Sequence, residues 1–77
     1  MSLHTNQKEY NMTYTYIAEI TNNKALVDST TASDLKKVVT WATSNSIEGD
    51  LIVISEGYEC ADGVVDKHDH INSWYNS

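Results

Sequence analysis

Leu51, Ile52, Val53 and Ile54 stand consecutively between Asp50 and Ser55, and nowhere else in the chain do four large aliphatic residues adjoin. A short apolar run bounded by polar residues reads as a strand buried on both faces, so this segment is expected at the centre of the fold. Upstream, the even positions Met12, Tyr14, Tyr16, Ala18 and Ile20 alternate with Thr13, Thr15, Glu19 and Thr21, with Ile17 the exception. That period of two describes a strand with one face turned inward. Asn22-Asn23 reads as a two-residue turn, because asparagine tolerates the positive φ of a type I′ hairpin. Lys24 to Ser29 then return as the second strand, with Ile20 opposite Ala25, Ala18 opposite Val27 and Tyr16 opposite Ser29. A slip of one residue turns Ala25 and Val27 outward, so the apolar pattern selects this register.

Ser29, Thr30 and Thr31 break the strand, and Thr31 is the expected cap of a helix over 32–46, with Asp34 near its positive end. Leu35, Val38, Val39 and Ala42 fall on one helical face, and Trp41 lies at its border. The helix is expected to stop near Asn45 or Ser46, with Gly49 available for a left-handed exit. Beyond the aliphatic strand, Gly57 suggests a bulge and Asp62-Gly63 a hairpin turn. Val64 to Tyr75 reads as a fourth strand with an irregular end, since its β-branched, Asp, Asn, Ser, His and aromatic residues are poor helix formers.

The order is therefore strand, strand, helix, strand, strand. A right-handed crossover leaves the third strand parallel to the second and antiparallel to the first. The expected architecture is a small two-layer α+β domain: a mainly antiparallel sheet of strand order 2-1-3-4 with one helix on one face. One helix meets only alternate residues of the aliphatic strand, so two of its large side chains look away, near Ile17 and Leu26. Burying each such side chain is worth about 1.5–3 kcal/mol, and a cover is expected. The candidates are the C-terminal Ile71, Trp74 and Tyr75, a second copy of the chain, or a partner.

Seventy-seven residues suit one domain near the lower limit for a self-sufficient core. Residues 1–11 show no periodicity and open like a cloning leader, so they are expected as a disordered tail that includes His4, and 12–77 as the domain. Cys60 is the single cysteine, which excludes an intrachain disulfide and suits a cytoplasmic setting. No run approaches the roughly 20 apolar residues of a membrane-spanning helix.

Charge changes the picture more. Eleven acidic residues stand against five lysines and no arginine, which argues against direct binding of nucleic acid or anionic membranes. Between Glu48 and Asp69 lie Glu48, Asp50, Glu56, Glu59, Asp62, Asp66 and Asp69 against Lys67 alone, so the net charge of −6 resides there. A turn at Asp62-Gly63 places Glu59 opposite Asp66, an unfavourable like-charge pair.

Chemistry-bearing patterns are sparse. His68 and His70, with Asp66 before them, are zinc-type ligands that share a face on a regular strand, but no CxxC or HExxH pattern accompanies them. There is no GxSxG elbow, no phosphate-binding glycine loop and no basic neighbour to activate Cys60, and a chain this short leaves little volume for a cleft. The expectation is a non-enzymatic protein without a cofactor. Its acidic residues Glu48, Asp50, Glu56, Glu59, Asp62, Asp66 and Asp69, with Tyr58, Trp74 and Tyr75 as aromatic anchors, are expected to dock on a basic, nucleic-acid-binding protein. Small inhibitors and regulators of phages and other mobile elements have this size and composition. The alternative is a structural or assembly protein that homodimerises through the uncovered apolar face. A lesser alternative is a metal-binding protein using His68 and His70.

Overall fold

A computed structural model describes residues 13–77; the expected tail at 1–11, with His4, lies outside them. The elements are β1 (Thr13–Asn22), β2 (Ala25–Ala32), α1 (Leu35–Asn45), β3 (Leu51–Glu59) and β4 (Val65–Tyr75). The four strands form one antiparallel sheet of order β2-β1-β3-β4, and α1 packs across it. This is the ββαββ two-layer domain that the alternation and the aliphatic run imply. No helix among the described residues is long and apolar enough to cross a membrane.

The core lies between α1 and the two central strands. Ile20 stands opposite Ile52 and Ala18 opposite Ile54. With Val38 and Ala42 of α1 they form a cluster in which no residue is more than 1% exposed. Tyr16, Ala32, Val39, Trp41 and Trp74 pack around it. Ile52 and Ile54 thus meet the helix, while Leu51 and Val53 face the other way. Trp74, expected as a docking anchor or as cover for the far face, pairs with Ile52 and belongs to the helix-side layer instead.

The β1–β2 register differs from expectation. The turn residues are Asn23 and Lys24, with φ of 53° and 68°, one position later than Asn22-Asn23. The reason is tertiary: Asn22 Nδ2 donates to Asp50 Oδ1 at 2.8 Å, which holds Asn22 in β1. Asn22 then pairs with Ala25, Val27 is skipped by a bulge, and Ile20 faces Asp28 and Ala18 faces Thr30. Ala25 and Val27 are exposed as a result, and β2 presents Asp28 and Thr30 beside Ile20 and Ala18, with Ala32 its residue packed against the core. β2 also continues to Ala32, so Thr31 pairs with Ile17 and does not cap the helix. Asp34 is the cap: its carboxylate accepts the backbone N–H of Lys36 at 3.0 Å. α1 is accordingly shorter than 32–46, and Leu35 is 37% exposed at its first position.

The β3–β4 hairpin turns through the three residues Ala61, Asp62 and Gly63. The N–H of Gly63 donates to Cys60 O at 2.9 Å, that of Cys60 to Val64 O at 2.8 Å, and Gly63 has φ 90°. A type I turn closed by a left-handed glycine is a standard three-residue solution. It shifts the register by one from that of a two-residue loop. Glu59 therefore faces Val65 and Asp66 faces Tyr58, and the expected Glu59–Asp66 opposition does not form; Glu56 faces Asp69 instead.

Two further register shifts, at Ile54/Ser55 and at Glu56/Gly57, leave Ile71 and His68 as extra residues of β4. Gly57 is where β4 comes closest. A Cβ built on it would overlap the carbonyl oxygen of Asp66 and lie 2.9 Å from Lys67 Cα and 3.0 Å from Asp66 C. Since a strand Cβ points out of the sheet plane, the β4 backbone, still paired with β3 through Gly57–Lys67 and Tyr58–Asp66, crosses onto the face of β3 here.

That crossing supplies part of the cover the far face requires. Thr15, Ile17 and Ser55 lie opposite the helix side yet are only 4%, 6% and 3% exposed. Lys67 Nζ pairs with Glu19 Oε1 at 2.8 Å, and the ladder places the Ile17–Ser55 row between the two residues. The aliphatic stem of Lys67 thus passes along this row while its ammonium stays at the surface. Ile71 and Tyr75, expected as the cover, are 38% and 69% exposed. Leu51 and Val53 are half-buried and Leu26 is 58% exposed, so the end of this face near the β1–β2 turn stays open.

Candidate functional site: an aromatic and acidic patch beyond the helix

Ten strand residues span roughly 33 Å, whereas the eleven residues of α1 span roughly 16 Å. The helix can cover only about half of the strand face beneath it. The other half begins where β2 ends, at Ala32 opposite Tyr16, and presents Tyr14 opposite Tyr58, with Tyr16 opposite Glu56 at its border with the core.

The rings form a strip across the sheet. Tyr14 stands edge-to-face with Tyr16 at 5.4 Å between centroids and with Tyr58 at 5.6 Å; Tyr58 stands edge-to-face with His68 at 5.4 Å. These are favourable orientations for aromatic quadrupoles. Carboxylates border the strip. The hydroxyl of Tyr14 donates to Glu56 Oε1, and this bond, reinforced by desolvation, pushes the Tyr14 pKa well above its ordinary 10.0. Asp66 Oδ2 lies 3.2 Å from His68 Nε2. Asp69 faces Glu56 across the β3–β4 ladder. Among the described residues the one lysine ion pair is Lys67–Glu19, so no lysine neutralises Glu56 or Asp69. Tyr14 is 42% exposed, which leaves the strip open to a partner. Ring faces beside carboxylates suit a cationic side chain, by cation–π attraction and by charge-assisted hydrogen bonds.

Of the docking residues expected from sequence, Glu56, Tyr58, Asp66 and Asp69 come together here. Glu59 lies on the opposite face, paired with Val65, and Asp62 sits in the hairpin turn, accepting the N–H of Val64 at 3.2 Å. Glu48, Asp50 and Tyr75 are at the far end of the sheet, where Tyr75 faces Leu51. Asp50 is a correction. It is 4% exposed, and its carboxylate accepts Asn22 Nδ2 at 2.8 Å and the N–H of Ile47 at 3.0 Å, so it ties β1 to the α1–β3 loop and is not a docking residue. Tyr14 and Tyr16 both fall on the inward face that alternation implies: Tyr16 packs against the core, whereas Tyr14, 42% exposed, stands beyond the helix. The signal that finds them is the mismatch of helix and strand lengths.

The two donors to Asp50, the Ile47 amide foremost, lower its pKa below the ordinary 3.8. A depressed folded pKa contributes stability that is present above the unfolded value and lost as pH falls through the folded one. Asp50→Asn should therefore be less stable than the parent at neutral pH. The difference in urea midpoint should shrink as pH falls from about 5 to below 3. A difference that stays constant over that range would show that the carboxylate charge is not involved.

The histidines do not form a ligand pair. The bulge at His68 brings it beside Tyr58 on the helix side, whereas His70 faces Ser55 on the other side. Among the described residues, no three His, Cys, Asp or Glu side chains are grouped to hold a metal ion. Comparison with family models, with curated proteins and with solved structures finds no match to this chain.

Proposed function

We propose that this protein is a small acidic, non-enzymatic binding module that docks on a basic protein surface through Tyr14, Tyr16, Tyr58 and His68 and the carboxylates of Glu56, Asp66 and Asp69. The observation that carries this reading is the open aromatic strip beside Glu56 and Asp69, two carboxylates that face each other with no lysine between them. Like charges placed directly opposite on a sheet cost stability. A guanidinium or ammonium from a partner relieves that repulsion, and the tyrosine rings supply rigid contact area at small entropic cost. A nucleic-acid-binding protein is the natural owner of a surface of that charge, and occupying it would compete with the nucleic acid, as an inhibitor or regulator does.

The test is affinity capture from host lysate with the parent and with a Glu56→Gln, Asp66→Asn, Asp69→Asn variant, both verified as folded by circular dichroism. A basic partner should be captured by the parent, released as salt rises, and bound at least ~10-fold more weakly by the variant. Capture that is insensitive to salt and equal for both proteins would refute the proposal.

A further inference from the structure

The two edges of the sheet are built differently. β4 carries two bulges and the charged Asp66, Lys67 and Asp69, the devices that discourage an edge strand from pairing with another chain. β2 has one bulge, at Val27, and then a regular run from Asp28 to Ala32 without lysine or proline. Its Leu26 and Val27 are 58% and 60% exposed. With Val27 set aside, β2 pairs with β1 through Ala25, Leu26, Asp28, Ser29, Thr30, Thr31 and Ala32. These ladder positions are symmetric about Ser29.

We infer that β2 is a self-association edge, at which two copies pair antiparallel about a two-fold axis through Ser29 and join their sheets into one. In this register Ser29 meets Ser29 of the second copy, Asp28 meets Thr30, Leu26 meets Thr31, and Ala25 meets Ala32. Each pair falls on a common face. Asp28 and Thr30 lie on the helix side, opposite Ile20 and Ala18, and Leu26 and Thr31 on the far side, opposite Thr21 and Ile17. The carboxylate of Asp28 meets a hydroxyl and not its own copy. The N–H of Ser29 now donates to Asp28 Oδ1 at 2.8 Å; a second strand takes over that donor and leaves the carboxylate to Thr30.

Charge selects a second copy over the basic partner of the other surface. From Lys24 to Lys37 the lysines Lys24, Lys36 and Lys37 outnumber Asp28 and Asp34, so this edge offers no excess of negative charge to a basic partner. The acidic residues of β3 and β4 lie toward the edge of the sheet opposite β2, so a two-fold at β2 keeps the two acidic regions on the outside. Edge pairing of this length buries less than the ~1,200 Å² of a standard interface, so the dimer is expected to be micromolar or weaker.

Sedimentation equilibrium from about 10 to about 500 µM tests this with two variants of equal net charge. Ser29→Lys sets two lysines against each other at the axis and should weaken the dimer by ~10-fold or more. Thr30→Lys meets Asp28 of the second copy twice and should tighten it by roughly 2–30-fold. A parent that is monomeric throughout, or variants that shift alike, would overturn the inference. So would a dimer that Val53→Lys abolishes while Ser29→Lys leaves it intact, since that dimer would use the open face of the sheet.

Discussion

Gly57→Ala is expected to destabilise the fold by roughly 3 kcal/mol or more, read as a lower urea midpoint by circular dichroism. The added methyl would meet main chain, the Asp66 carbonyl group and the Cα of Lys67, and not the movable end of a side chain. Neither neighbour can step aside cheaply. Asp66 and Lys67 are held from one side by the three-residue turn at Ala61 to Gly63 and from the other by the bulge at His68. Relief requires β4 to lift away from β3. That movement would withdraw Lys67 from Glu19, uncover Ile17, and take His68 off the ring of Tyr58. One methyl group is thus expected to damage stability and the aromatic patch together. A Gly57→Ala protein within ~0.5 kcal/mol of the parent would mean that β4 lies beside β3 at this point and does not cross it.

The order of elements and the sheet topology follow from patterns that extend over many residues: alternation in β1, the aliphatic run of β3, the helical stripe of α1. Such patterns average over local choices. The registers depend on single choices: a turn displaced by one position together with one bulge moved the partner of Ala18 from Val27 to Thr30, and one added loop residue moved that of Glu59 from Asp66 to Val65. Between Asn22-Asn23 and Asn23-Lys24, turn propensity favours the former, because lysine seldom takes a positive φ. The bond from Asn22 to Asp50, 28 residues away, decides otherwise. Asp62-Gly63 marks a turn but does not state whether two or three residues form the loop, and the difference moved Asp66 from Glu59 to Tyr58. The helix cap moved from Thr31 to Asp34 for a similar reason, since Thr31 is claimed by its pairing with Ile17.

The candidate site was legible to a similar depth. Its acidic character was plain from composition, and Glu56, Tyr58, Asp66 and Asp69 were found because the charge sits in one segment. The place of Tyr14 and Tyr16 depends on where α1 ends over the sheet, which alternation along β1 does not encode. Lys67 is the least legible residue. Its stem lies over the Ile17 row only because β4 crosses at Gly57, and no local pattern marks a lysine as cover for a core.

Ile52→Ala should cost about 2–5 kcal/mol, and Val53→Ala, one residue along the same strand, about 1 kcal/mol. Both positions have neighbours in β1 and β4 and the same strand propensity, so the comparison isolates what lies above each face. Beside Ile52 are Ile20 and Trp74, over this face lie Val38 and Ala42 of α1, and the side chain is 0% exposed. Val53 has Glu19 and Ser73 beside it and is only half-buried. Deleting its methyl groups removes contacts that were partly with solvent and leaves little cavity. Urea denaturation at low micromolar concentration measures both costs under conditions where self-association is slight. Costs of equal size would mean that Val53 is as completely enclosed as Ile52. The described residues provide no such enclosure, so that result would require a second layer over Leu51 and Val53 in solution, and the aliphatic strand would then be buried on both faces as its unbroken apolar run implies.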